Sequence, residues 1–471
     1  MVFYGAESGF IKISLLPFLF FCILIGIVYI IRKREYGSVK WRQIPIFLFF
    51  FAFFLRLGII YFIGRGTTQL SDFMMAFQAA QKAIPIDIDH YAIFSNWGMY
   101  VFYLKVIFKL FGASELVGII ANAFLESGSV VLIYFLVMLT LRDKYAHIVA
   151  VTSAIMYAVW PSQLVYLVLL SPEFVHIFLL LLGLVLLALT KRETNPAIPM
   201  WVSGYVFSAF CISLSGFFKS TDKIMMIALF ISIFFVYFDS SQSMTGGECG
   251  NKITVVPFRM VGITVFLTSY LIANVLGFMF LDYFVGRTVN RDLTPHYLNI
   301  GLSSDSRGIW NPEVGWEYRN DVIESGFDYD KAGQIVMDSL KKDIDQNKHI
   351  TIQFFVKKLT DTWQGMDYLY FSQETINPEK RIYVQRPQIA IFFQSYYLII
   401  GIMVFLGCRF SLKEKTKQIF FLSALFIVGF MLLMLFFENQ PRYKVVTYPY
   451  SCILAGSGIR YLIARFDGGG I

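Results

Sequence analysis

The apolar and polar positions of this chain fall into long blocks instead of following a two-residue or 3.6-residue period. Eleven apolar blocks stand out, at about 10–31, 45–63, 114–140, 147–168, 172–190, 200–216, 223–238, 256–283, 389–408, 419–437 and 445–463. Most are close to the roughly 20 residues that a helix needs to cross a bilayer. The pattern predicts an all-α integral membrane protein with about eleven transmembrane helices. One long stretch, about 286–387, is polar. Within it Gly301–Gly315 is rich in Gly, Ser, Asp and Pro and reads as irregular loop. Asp330–Gln346 and Ile350–Trp363 carry helical periodicity, and no alternating run is long enough for a sheet. The expected organisation is a transmembrane region over 1–285 that includes an outer loop at 64–113, an extracytoplasmic segment over 286–388, and a second transmembrane region over 389–471.

The outer loop is more than a connector. Ile63–Ile84 presents one carboxylate, Asp72, just before an amphipathic pattern. Tyr100–Phe111 is apolar but short, with Lys105 and Lys109 one turn apart, as suits a helix lying in the membrane interface.

Composition agrees with the blocks. Of 471 residues, 57% are hydrophobic and 15% charged, and the mean hydropathy is +0.62. The net charge of +8 calls for no nucleic-acid partner, because much of the Lys and Arg clusters in short loops between blocks. Arg32–Arg42, Arg142–Lys144, Lys191-Arg192, Arg409–Lys417 and Arg460–Arg465 would all be cytoplasmic, leaving the N-terminus outside and the C-terminus inside. The first block reads as a retained span, since its basic cluster Arg32-Lys33-Arg34 follows the apolar run instead of preceding it. Cys22, Cys211, Cys249, Cys408 and Cys452 show no metal-ligand spacing, and none lies in the polar segment.

Candidate chemistry follows from charges in costly places. Asp72 is a candidate general base, although these residues taken alone favour Ser71 and Asp72 as caps of the helix that follows. Arg56 and Glu126 lie inside spans, where pairing with each other would fix helix packing; Arg56 could also reach toward the outer surface. Glu173 opens the fifth span on the same side as Asp72, with His176 one turn on, and Asp89 is a further candidate acid. Lys219 in the outer hairpin, Lys358 and Arg442 offer separated cations to one layer, which suits an anionic lipid headgroup.

Several stretches together resemble the GT-C superfamily of polytopic membrane glycosyltransferases, in particular bacterial relatives of protein mannosyltransferases and aminoarabinose transferases (family 39-like). They are Leu70-Ser71-Asp72-Phe73, Asn96–Glu115, Trp160-Pro161-Ser162 with Ser171-Pro172-Glu173, Lys358 with Trp363, and Glu438–Tyr443 with Tyr448-Pro449. The chain departs from the pattern in having Asp72 alone, with Asp87 and Asp89 further on, where many relatives have two adjacent acids. It also carries an extra leading span, and Lys219 where an Arg is common.

The resemblance implies a transferase that moves a sugar from a polyprenyl-phosphate donor to a hydroxyl of a cell-envelope glycan on the outer membrane face, with inversion. Asp72 would be the base, with Glu173 or Asp89 as second acid. Lys219, Lys358, Arg442 and Arg56 would face the donor phosphate, and Tyr443 and Trp363 the donor or acceptor pocket. No divalent metal is indicated. A lipid-linked sugar flippase, a protein O-glycosyltransferase and an oligosaccharide ligase stay open as alternatives.

Overall fold

The computed structural model describes residues 43–64, 68–82, 88–141, 144–192, 198–242, 255–306, 308–364, 387–413 and 418–466. The expected first span at 10–31, its basic cluster and Asp87 lie outside them. The regular elements among the described residues are helices, with no strand. Helix α1 spans Ile44–Ile59 and runs on as a π-turn to Gly64; α2 is Ser71–Gln81, α3 Ile88–Ile93 and α4 Ser95–Phe111. Then come α5 (Glu115–Thr140), α6 (Ala146–Ala158), α7 (Pro161–Tyr166), α8 (Glu173–Arg192), α9 (Ile198–Gly216), α10 (Asp222–Gln242) and α11 (Val255–Val285). The polar segment forms α12 (Thr294–Leu302), α13 (Pro312–Glu324), α14 (Tyr329–Asn347) and α15 (Ile352–Gln364). The chain closes with α16 (Pro387–Lys413), α17 (Gln418–Phe436), a 3₁₀ turn at Pro441–Thr447 and α18 (Tyr448–Phe466).

Among the described residues, six helical stretches can cross a membrane by length and composition: Ile44–Ile63, Glu115–Thr140, Glu173–Thr190, Val261–Val285, Ala390–Arg409 and Gln418–Phe436. Ala146–Ala158 and Val202–Gly216 are shorter apolar helices. Burial separates centre from rim: 61% of the α8 span window is buried, against 11% for α11. Leu271, Ile272, Val275, Leu276 and Met279 form an exposed apolar face on α11, as expected of a helix turned toward lipid. Helix α8 packs between α5 and α9, and α18 between α6 and α16.

The expected run 147–168 is not one helix. Trp160 precedes Pro161, whose ring pushes it out of helical backbone into φ −61°, ψ 112°. The helix stops, restarts for six residues and stops again. The irregular backbone at 167–171 is wholly buried, so its polar groups need partners inside the protein. Gln69 supplies two of them, donating from Nε2 to the Val168 carbonyl at 3.0 Å and accepting from the Leu170 amide at 3.1 Å. Asn122 on α5 donates to the Leu169 carbonyl at 3.0 Å.

The polar segment is tied to the end of α17. Gly301 lies so close to it that a Cβ would collide with the Phe436 carbonyl, a place where only glycine fits. Lys358 is buried there and donates to the carbonyls of Gly301 at 2.6 Å and Phe437 at 2.9 Å. A second small core of Ile93, Phe94, Tyr318, Val322, Ala332 and Val336 joins α3 to α13 and α14. Helices α14 and α15 fall on the two periodic stretches of the sequence, whereas α12 and the start of α13 occupy parts of the stretch expected to be loop and its approach.

Candidate active site

Five chain segments meet at one end of the bundle: the start of α2, the start of α8, the α9–α10 turn, the first turn of α12, and the turn after α17. Glu173 is the first residue of α8 and is 3% exposed. Its Oε1 accepts from Lys219 Nζ at 3.0 Å, and its Oε2 accepts from the Ser171 hydroxyl, which also meets Tyr166 at 2.9 Å. Lys219 lies over the Tyr443 ring, 3.8 Å from its centroid. Burial lowers the Lys219 ammonium from the usual lysine range, and the Glu173 carboxylate beside it offsets part of that shift.

Arg442, in the 3₁₀ turn, faces the same group. Its guanidinium lies 5.5 Å from the Phe73 ring centroid and 5.4 Å from that of Tyr443. Glu438 is buried just ahead of that turn and accepts from Gln440 Nε2 at 2.5 Å. Burial raises its carboxyl above the usual glutamate value, with Arg442 pulling the other way. The Tyr297 backbone carbonyl accepts from the Glu438 amide at 3.0 Å. The Tyr297 hydroxyl is raised first by burial and then by the carboxylates of Glu438 and Asp72, so one phenol senses both acids and Arg442 as well.

Asp72 itself stands apart from every other acid here. It lies in the first turn of α2, half-buried, behind a residue with left-handed backbone (Ser71, φ 52°). The helix begins from Leu70 with no side-chain cap, so the capping role open to Ser71 and Asp72 is not taken. Among the described residues the Asp72 carboxylate makes no hydrogen bond or ion pair. A strained backbone position next to an uncommitted acid is the kind of outlier that points toward function.

The other candidates lie elsewhere or are engaged. Arg56 is buried between α1, α5 and α6, donating to the Ala52 carbonyl at 3.2 Å and the Ala158 carbonyl at 3.4 Å, with Glu126 Oε2 3.8 Å away. Glu126 also accepts from the Tyr157 hydroxyl at 2.8 Å and from Gln163 Nε2 at 2.5 Å. Asp89 forms an exposed pair with Arg287 at 2.6 Å. Lys358 spends its ammonium on the two carbonyls named above, and burial pushes it down to about 8. Trp363 packs half-buried against the main core, and its carbonyl accepts from Lys444 at 3.4 Å. Both ring nitrogens of His176 are engaged with protein groups. No group of three or more His, Cys, Asp or Glu among the described residues is arranged to hold a metal ion.

Beside Arg442 a narrow niche is lined by Ser162, Gln163, Tyr166, Val445 and Tyr448. Tyr448 stacks on Trp160 with ring centroids 4.0 Å apart, and its hydroxyl meets that of Tyr397 at 2.9 Å. The break at Pro161 thus places α7 against the turn that carries Arg442. The sequence expects Asp72 and Glu173 on one side and Lys219 and Arg442 in one layer; the structure brings Glu173, Lys219, Arg442 and Tyr443 into contact range of one another. Glu438, Tyr297 and Gln69 join the site from the structure alone; for Glu438 the sequence signal is a lone acid beside Asn-Gln-Pro-Arg after an apolar run.

No family model matches the chain, and no curated protein does. Among solved structures the chain is similar to the Archaeoglobus fulgidus oligosaccharyltransferase in its apo form, with a TM-score of 0.48 and 11% identity. It is similar also to that protein tethered to an acceptor peptide containing the NVT sequon (TM-score 0.46, 12% identity). A third structure, of the archaeal oligosaccharyltransferase AglB from the same organism with an inhibitory peptide and a dolichol-phosphate, gives a TM-score of 0.47 and 12% identity. Each covers 92% of this chain, and this chain spans only 51–52% of theirs.

Proposed function

We propose that this chain is a membrane glycosyltransferase of GT-C type that takes its sugar from a polyprenyl-phosphate carrier and passes it to a hydroxyl of a cell-envelope glycan. The observation that carries the reading is the uncommitted Asp72 carboxylate at the end of the bundle where Lys219 and Arg442 gather around Glu173, Glu438 and Tyr297. The motif resemblance supports it independently. In the proposed topology eleven spans leave the N-terminus outside and the C-terminus in the cytoplasm, with this end of the bundle and the polar segment on the outer face. Helix α4 buries Tyr100, Val101, Leu104 and Phe108 and leaves Val106, Leu110 and Phe111 exposed, which supports an interfacial role.

In the proposed reaction the acceptor O–H gives its proton to Asp72 while its oxygen forms a bond to the anomeric carbon. The bond from that carbon to the phosphate oxygen breaks, and its electron pair leaves with the polyprenyl phosphate. Attack opposite the leaving group inverts the centre. Lys219 and Arg442 balance the charge that builds on the departing phosphate, and they are more effective in a dry site than in water. Glu173 holds Lys219 in place and is our second acid. Asp89, already paired with Arg287 in the open, is the weaker choice. The two carbonyls on Lys358 favour a structural role for that cation. Arg56, held by Glu126 and two carbonyls, is likewise better suited to packing than to the donor phosphate.

The test uses detergent-purified full chain and a panel of polyprenyl-phosphate monosaccharides with crude envelope acceptor, following release of polyprenyl phosphate by mass spectrometry. Asp72→Asn is expected to slow release by about 10²–10⁴-fold, the usual worth of a positioned base. Nucleotide sugars should give none. Equal release from the variant would remove Asp72 as base, and release from nucleotide sugars alone would overturn the donor class.

A further inference from the structure

The turn that carries Lys219 is clamped from α8 by a buried histidine. His176 lies one turn beyond Glu173 and is 0% exposed. Its Nδ1 is 3.0 Å from the Ser215 carbonyl oxygen. That oxygen can only accept, so Nδ1 carries the proton, and in the neutral ring Nε2 then accepts from the Thr221 hydroxyl at 2.8 Å. The Ser215 carbonyl also accepts from the amides of Phe218 at 3.0 Å and Lys219 at 3.1 Å. One imidazole therefore grips both shoulders of the turn and shares an acceptor with the backbone of Lys219. From the far side the turn is fixed by Asp222, which lies against Gly216 so closely that a Cβ there would strike its carboxyl. Asp222 is held in turn by the Tyr270 hydroxyl at 2.6 Å.

Glu173 and His176 project from the same helix, three residues apart. The imidazole sets the distance from α8 to the turn, and the 3.0 Å contact between Lys219 and Glu173 depends on that distance. Both ring nitrogens are committed, so His176 is not placed to bind a metal with Glu173. We propose that His176 is a positioning residue, holding the 215–221 turn against α8 so that the Lys219 ammonium is preset beside Glu173 to receive a lipid phosphate. A lysine ends in a point charge on a flexible stem and gains more from a fixed backbone than a planar guanidinium does. This rests on the reading of Lys219 as a donor-phosphate cation.

The experiment measures binding of polyprenyl phosphate alone to the full chain in nanodiscs, with native mass spectrometry as readout. Lys219→Met should weaken binding at least about tenfold, as loss of a charge-assisted contact does. His176→Phe keeps a ring but removes both hydrogen bonds, and should weaken binding about tenfold in the native background. In the Lys219→Met background the same change should cost less than about twofold, because the two residues act through one contact. His176→Asn sets its amide nitrogen near the Nδ1 position and should recover most of the loss.

Equal losses in the two backgrounds, or an asparagine variant no better than phenylalanine, would overturn the clamp. Should His176→Phe not fold, Thr221→Val removes only the Nε2 contact and runs through the same cycle, with additivity again the overturning result. Unchanged binding in Lys219→Met would sink the donor reading itself and the purpose of the clamp with it. That failure shows at Lys219, whereas failure of the clamp alone shows only at His176.

Discussion

Two acid–base pairs in this molecule look alike in the sequence and differ in surroundings. Arg56 and Glu126 are 1% and 0% exposed, 3.8 Å apart, and are pinned by Tyr157, Gln163 and two carbonyls. Lys219 and Glu173 are 3.0 Å apart at a helix end, and the lysine side chain keeps 19% of its surface open. A second cation, Arg442, acts electrostatically on the outer pair. A charge that must also meet a ligand needs a face that the ligand can reach. The inner pair is sealed by burial, with Arg56 Nη2 and Glu126 Oε1 left without a hydrogen-bond partner among the described residues, and serves packing, whereas Lys219 keeps a face open. Rarity of charge in a membrane chain finds both pairs, but only burial tells them apart.

The largest effect should come from breaking the inner pair. Arg56→Met leaves Glu126 buried and uncompensated, and is expected to cost about 3–5 kcal/mol of stability. Adding Glu126→Leu should return most of that loss, because two apolar groups replace two desolvated charges. Lys219→Met should cost far less, about 1–2 kcal/mol, since Arg442 remains near Glu173. Thermal unfolding of the four detergent-purified proteins checks the order. A Lys219→Met loss as large as that of Arg56→Met would erase the distinction between the pairs.

Next in size is a pH effect from a third kind of burial, in which a group is kept neutral instead of paired. His296 near the start of α12 is 4% exposed and surrounded by the rings of Phe94, Tyr297 and Tyr318. Burial pushes its imidazole down to about 4 from 6.5. The unfolded chain then binds a proton below pH 6.5 that the folded chain refuses until about pH 4. Stability is therefore full above pH 6.5 and falls across that window, by about 3 kcal/mol when taken through to pH 4. Acid unfolding of His296→Phe compared with the native chain should lack this component. An unchanged acid profile would show that the imidazole accepts its proton in place.

Much of the fold was legible because bilayer spans announce themselves by length and hydropathy, and α14 and α15 by period. What was not legible depended on single local events. The run 147–168 is apolar enough to read as one span, and it is the backbone restriction before Pro161 that breaks it. The buried loop that follows depends on Gln69 and Asn122, whose amides answer backbone groups about 100 and 47 residues away. Nothing in sequence spacing encodes such a match. The same holds for Lys358, whose charge suits a phosphate in the sequence and is taken by two carbonyls in the fold. Asp72 reversed the other way, since the cap offered by Ser71-Asp72 is absent and the acid is left uncommitted.

The smallest expected effect is the sharpest test of that reversal. Ser114, Asn311 and Asp328 do cap their helices, accepting from Val117, Glu313 and Lys331 amides at 3.2, 2.9 and 2.9 Å. Replacing such a cap with alanine costs about 1 kcal/mol, so Asn311→Ala should lower stability by that much and leave turnover near native. Asp72 makes no such bond and contributes only its charge near a helix N-terminus, worth roughly 0.3–1 kcal/mol when exposed. Asp72→Ala should therefore unfold at or just below the native temperature while losing turnover. A cap variant that is stable but inactive, or an Asp72→Ala protein that loses stability like a decapped helix, would return Asp72 to the structural role that its neighbour Ser71 first suggested.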